Sequence, residues 1–104
     1  MRNLSDTFKE SADAVSAGKY HEALEALLWI HDNPNPADPS SEMFRRANGF
    51  LALGVLAEAY EPAKQALIDL VMQKRAQVAA GLADTTTAAD LNALEAAMRR
   101  FQHP

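Results

Sequence analysis

Four residues with the chemistry to hold a metal ion stand close together in this chain: His21, Glu25, His31 and Asp32. His21 and Glu25 are four positions apart. On a helix that spacing puts an imidazole and a carboxylate on one side, where both could reach the same ion. One reading is therefore a metal site at His21, Glu25, His31 and Asp32. Against it, the full H-E-x-x-H pattern is absent, and further ligands would have to converge from another helix. The plainer reading of His31 is a core histidine on an apolar face, bonded to a carbonyl of the segment that follows. The expectation is no bound metal.

No other constellation builds a reaction centre. The chain has no cysteine, so thiol catalysis, disulfide scaffolds and zinc–thiolate sites are excluded. Four glycines leave little for a phosphate-cradling loop. Ser11, Ser16, Ser40 and Ser41 fall on helix faces or caps, and no nucleophile elbow is present. Neither a catalytic residue nor a cofactor is expected, and the chain reads as a protein that is not an enzyme.

The wider composition narrows the class. The 104 residues carry 10 Lys and Arg against 14 Asp and Glu, a net charge of −4. An acidic chain is a poor electrostatic binder of nucleic acid. Hydrophobic residues make up 48% and are mostly alanine and leucine, which favours closely packed helices over a β-sandwich. The length suits one domain with its own core. The longest apolar run, Phe50 to Ala57, is far short of the ~20 residues that cross a bilayer. Asp6, Lys9 and Glu10 interrupt any secretory h-region, so the expected location is the cytoplasm and no membrane is expected as a partner.

The elements that would carry these residues follow from apolar periodicity. A first helix starts near Asn3, with Leu4, Phe8, Ser11, Ala12 and Val15 on one stripe, and ends at Gly18. A second places Tyr20, Ala23, Leu24, Leu27, Ile30 and His31 on one face and stops at Asn33-Pro34-Asn35-Pro36. Together they make an antiparallel hairpin over about 3–33. A linker covers 33–39, where Asp38-Pro39 reads as an N-cap followed by proline at the first helical position. A third helix runs from about Pro39 to Ala57. Phe44, Ala47 and Leu51 are expected inward, Arg45 and Arg46 outward. Its second half is apolar all round and is expected at the centre of the fold.

A break near Glu58 leads to a fourth helix with Tyr60, Ala63, Leu67, Leu70, Val71 and Val78 on its stripe. It ends at Gly81 and closes a second hairpin over about 39–80. Thr87 and Asp90 resemble a capping arrangement for a fifth helix over about 87–102. Leu91, Leu94, Met98 and Phe101 form its seam. Gln102, His103 and Pro104 are expected to fray. The fold class is all-α: five helices, two tandem hairpins and a capping helix.

The two hairpins are self-similar at an offset of 40 residues. Tyr20, Ala23, Ala26, Leu27, Leu28 and Ile30 align with Tyr60, Ala63, Ala66, Leu67, Ile68 and Leu70. A hairpin leaves one face unburied, and stacking a second one covers it. Gly18-Lys19-Tyr20-His21-Glu22-Ala23-Leu24 resembles the start of the second helix of a tetratricopeptide repeat. Tyr60 and Ala63 repeat its aromatic–alanine pair, and Pro34 or Pro36 stands near the closing proline. The resemblance covers about 4–80. The offset of 40 departs from the family's usual 34, Glu58 stands where a glycine is expected before Tyr60, and Leu-Gly occurs once, at Leu53-Gly54. Ala23 to His31 and Tyr60 to Leu67 also look like a group of small bacterial tetratricopeptide-like proteins of unassigned function. The resemblance implies a fold and no activity.

Such a fold implies a module that binds another protein or peptide. Trp29, on the polar side of the second helix with Glu22 and Glu25, is the expected anchor, or else it packs under the proline linker or the fifth helix. Lys9 and Arg45 could hold a peptide carboxylate if first helices line a concave face. Ile68 and Met72 lie off the main stripe of the fourth helix. They either receive the fifth helix or form a patch for a homodimer. A structural homo-oligomer, built on apolar residues off the stripes of the third and fourth helices, is the alternative function.

Overall fold

A computed structural model describes residues 2–100. These residues are helical, with short connections and no strand among them. Helix α1 spans Leu4–Ser16 and α2 spans Tyr20–Asp32. Next come α3, Pro39–Phe44, a π-helical stretch, Arg45–Phe50, and α4, Leu51–Ala59. The residues at both junctions keep right-handed helical backbone, so α3, the π-stretch and α4 form one continuous rod. Helix α5 spans Glu61–Ala79 and α6 spans Thr85–Met98. Counting the rod as one gives five helices, as the periodicity predicts.

Local chemistry sets the ends. Asn3 caps α1 by accepting from the Asp6 backbone N–H at 2.8 Å. Asp38 accepts from Ser40 and Ser41 ahead of α3, with Pro39 at the first helical position. Gly18 and Gly81 adopt φ of 75° and 74° and close α1 and α5 in the same way. After each glycine the next N–H turns back, Lys19 to the Ala14 carbonyl and Leu82 to the Gln77 carbonyl, as a left-handed cap requires. The start of α6 corrects the sequence reading. Asp84, not Thr87, is the cap, and it accepts from the Thr87 N–H at 2.8 Å. Those hydrogen bonds from Thr87 hold the Asp84 carboxyl below its ordinary value.

The helices form a slab of 41 × 38 × 17 Å. Helices α1 and α2 pair as one hairpin, and α4 and α5 as the next. Helix α2 packs against the π-stretch and α4, while α6 packs against α4, α5 and the π-stretch. One hydrophobic cluster runs through all of this. It joins Leu24, Leu27 and Ile30 of α2 to Phe50, Leu53 and Leu56 of the rod. From there it reaches Leu67 and Val71 of α5 and Leu94 and Met98 of α6. The first residues of the two aligned segments meet: the Tyr20 and Tyr60 rings lie 5.7 Å apart. Gly54 lets α6 come close to α4, since a Cβ there would stand 2.9 Å from the Ala97 carbonyl oxygen.

Two faces are rotated from their expected phase. On α1 the buried positions are Thr7 and Ser11, whereas Ala12 and Val15 are exposed. Thr7 tolerates burial because its hydroxyl donates to the Asn3 carbonyl at 2.6 Å. On the rod, Glu42, Arg45, Gly49 and Phe50 point inward, while Ala47 and Leu51 are exposed. A π-turn closes i→i+5 bonds, which brings residues four and five apart onto one face and shifts the phase of everything after it. The apolar second half is therefore not enclosed: Leu51 and Val55 are 48% and 46% exposed. Val78, expected on the stripe of α5, is exposed where that helix runs past the core. Phe101 and the final three residues lie outside the described residues.

Candidate docking face and its buried anchor

The rod reaches its rotated phase through Arg45. Its five guanidinium N–H groups all find acceptors. Nε donates to the Ile30 carbonyl at 3.0 Å and Nη2 to the His31 carbonyl at 2.9 Å, which satisfies two carbonyls in the last turn of α2. Nη1 and Nη2 grip Asp90 of α6 in a bidentate pair, at 2.8 and 2.6 Å. Nη1 also reaches Glu42 Oε1 at 3.4 Å. The guanidinium lies 5.1 Å from the Phe50 ring centroid.

Neighbouring charges complete the cluster. Arg46 Nε donates to Asp90 Oδ1 at 2.8 Å and its Nη2 to Glu42 Oε1 at 3.3 Å. Lys74 Nζ of α5 stands 3.9 Å from Asp90 Oδ2. Glu42 Oε2 accepts from the Asn35 N–H at 3.0 Å and so pins the proline linker. Burial pushes the Asp90 carboxyl up, but the hydrogen bonds and charges of Arg45 and Arg46 outweigh it and hold the group below its ordinary value. A cluster this buried is costly to desolvate, and its saturated geometry is what offsets that cost. It fastens α2, the linker, the rod, α5 and α6 to one another.

Above this anchor the rod presents an apolar ridge. Met43, Ala47, Leu51, Val55 and Ala59, each four apart, are all exposed, Met43 by 71%. A cleft runs along each side. One, of about 860 Å³, lies between the rod and α6, with Met43, Ala47 and Leu51 facing Ala89, Ala93 and Ala96. Arg46 and Arg100 also line it, and Arg100 is paired with Glu58 at 3.0 Å. The other, of about 440 Å³, lies between the rod and α1, with Leu51, Ala52 and Val55 facing Phe8, Ala12 and Val15. Leu51 lines both.

The residues singled out from the sequence fall elsewhere. Arg45 is a correction: expected outward as a carboxylate clamp, it is 1% exposed with every donor committed. Lys9, its proposed companion, is exposed on α1. Trp29 is half-buried against the core, with the Arg2 guanidinium 5.4 Å from its ring centroid. The sequence alternatives placed it under the linker or the fifth helix, whereas Arg2 ahead of α1 meets its ring. Glu22 and Glu25 are exposed beside a polar cleft of about 500 Å³ against α1. Ile68 packs on the core, and Met72 is exposed on α5.

The four candidate metal ligands form two separate pairs, His21 with Glu25 and His31 with Asp32, each at 2.9 Å. Among the described residues, no group of three or more such side chains stands close enough to share an ion. His31 is buried as expected, but Nδ1 bonds Asp32 rather than a linker carbonyl, and Nε2 has no partner among the described residues. The tautomer that fits donates from Nδ1 and leaves Nε2 a bare lone pair beside Phe50. Burial lowers the His31 pKa. The Asp32 bond pulls it back up only in part, and the Lys74 and Arg45 charges lower it further.

Sequence reasoning missed Asp90 and Glu42. Asp90 precedes Leu94 and Ala97 by four and seven positions, which is a core register on α6. A carboxylate in core register on α6 was the available signal. No family model matches the chain, no curated protein is similar to it, and no solved structure matches it.

Proposed function

We propose that the chain is a small protein-interaction module of tetratricopeptide-like type, and that it docks its partner on the face made by α1, the rod and α6. The observation that carries this reading is the row Met43, Ala47, Leu51 and Val55, held in solvent between two clefts. Contiguous apolar surface of this kind is costly to leave in water and is characteristic of docking sites. Support for a scaffold role also comes from the buried cluster, whose charges hold helices together. The centre of the docking surface moves accordingly from Trp29, which Arg2 covers, to Leu51.

A fluorescent apolar probe such as anilinonaphthalene sulfonate tests the reading on dilute, folded protein. It should bind the wild-type chain and bind Leu51→Glu and Val55→Lys several-fold more weakly, with the circular dichroism unchanged. Equal binding to all three would place the apolar surface elsewhere and defeat the reading.

A further inference from the structure

We infer that the partner seated on this face is a second copy of the same chain, related by a two-fold axis that passes beside Leu51. The inference rests on the reading of that face as a docking surface and adds the identity of its occupant.

Three features point to self-association. The first is shape. A two-fold contact uses one patch twice, so the patch must hold both a projection and the recess that receives it. Here the ridge is flanked by clefts that share its central residue, Leu51. A ridge of residues four apart packs into the equivalent groove of another helix at about −50°. An axis beside Leu51 brings Leu51 near its own copy and seats the ridge of each chain in a cleft of the other.

The second is area. From Met43 to Ala59 the ridge is about 24 Å long at ~1.5 Å per residue. With the flanking helices the face is about three helices wide, at ~10 Å each, or on the order of 700 Å². Stable interfaces bury about 800 Å² per partner. The broad face of the slab, 41 × 38 Å, has room for the remainder.

The third is charge. A chain of net charge −4 repels its own copy at long range, so a self-contact is best centred on neutral surface. The ridge positions 43, 47, 51, 55 and 59 are all uncharged. The nearest charges at the two ends are already matched within the chain, Arg46 with Asp90 and Glu42, and Glu58 with Arg100. The other candidate patch, Ile68 with Met72, lacks this extent because Ile68 packs on the core.

Sedimentation velocity on the full chain, from micromolar to near-millimolar concentration, tests the inference. The wild type should pass from monomer to dimer. Leu51→Glu should weaken the dimer by about tenfold or more with unchanged helicity. Val55→Lys supplies a second reading at a half-exposed position. The chain has no cysteine, so single cysteines report geometry directly. Under mild oxidation, Leu51→Cys should give a disulfide-linked dimer and Met72→Cys should not. A wild type that stays monomeric overturns the second copy as partner and leaves the docking face to the probe experiment. A dimer that survives both charged variants and cross-links through Met72→Cys overturns the docking face as well.

Discussion

Along the single rod from Pro39 to Ala59, one half sinks Glu42 and Arg45 into the protein while the other holds Leu51 and Val55 in solvent. Both halves touch α2 and α6, and the second also pairs with α5, yet it is the second that leaves Leu51 and Val55 facing out. The contrast comes from which side chains find partners. Arg45 meets two backbone carbonyls at the end of α2 and two carboxylates, a set that no apolar side chain could satisfy. Turning it inward carries Gly49 and Phe50 inward with it, and Leu51 is left facing out. Helix phase is thus decided by the most demanding group on the helix, not by the average hydropathy of its faces.

The anchored half should be the fragile one. Asp90→Ala leaves the Arg45 charge buried without its main counterion and should cost about 3–5 kcal/mol in urea unfolding. A loss under ~1 kcal/mol would mean that the cluster does not hold the fold. Next comes the close crossing at the other half. Gly54→Ala sets a methyl 2.9 Å from the Ala97 carbonyl oxygen, in contact with backbone that cannot swing aside. A loss of about 1–3 kcal/mol in the same assay is expected.

Acid should act on the anchored half in two stages. The folded chain holds the His31 pKa below its ordinary 6.5, so it binds that proton less readily than the unfolded chain does. The contribution is whole above pH 6.5 and declines as pH falls through it. Asp90, held below its ordinary 3.8, contributes fully above that pH and less as pH falls further. Unfolding midpoints across pH should therefore drop first near 6.5, and His31→Leu should flatten that first step alone. An unchanged first step in this variant would assign it to another group.

The exposed half should show the smallest effect on stability. Leu51→Ser should change unfolding free energy by no more than about 0.5 kcal/mol, as surface positions do, while weakening association. A cost of several kcal/mol would show that Leu51 is core and would dissolve the contrast between the two halves.

Much of the fold was legible because local rules agree with the global arrangement. The face of α2 from Ala23 to His31 is buried as its periodicity predicts. The proline linker, the glycine stops and the Asp38 cap stand where the residue types put them. The site was less legible. Arg45 and Arg46 read as a solvated pair, ordinary within their own segment, and Asp90, despite its core register, read as a capping acid. Their meaning lies in a contact forty-five positions apart in sequence, and no single-helix pattern carries that.

By itself, then, the sequence determined the helices, most of their ends and the order of the two hairpins, since those follow from side-chain spacing and backbone chemistry within a few residues. Only the tertiary structure decided which way the long rod faces. That choice depends on carbonyls of α2 and a carboxylate of α6 arriving together at one guanidinium. It turns the surplus apolar residues of the rod into an exposed ridge.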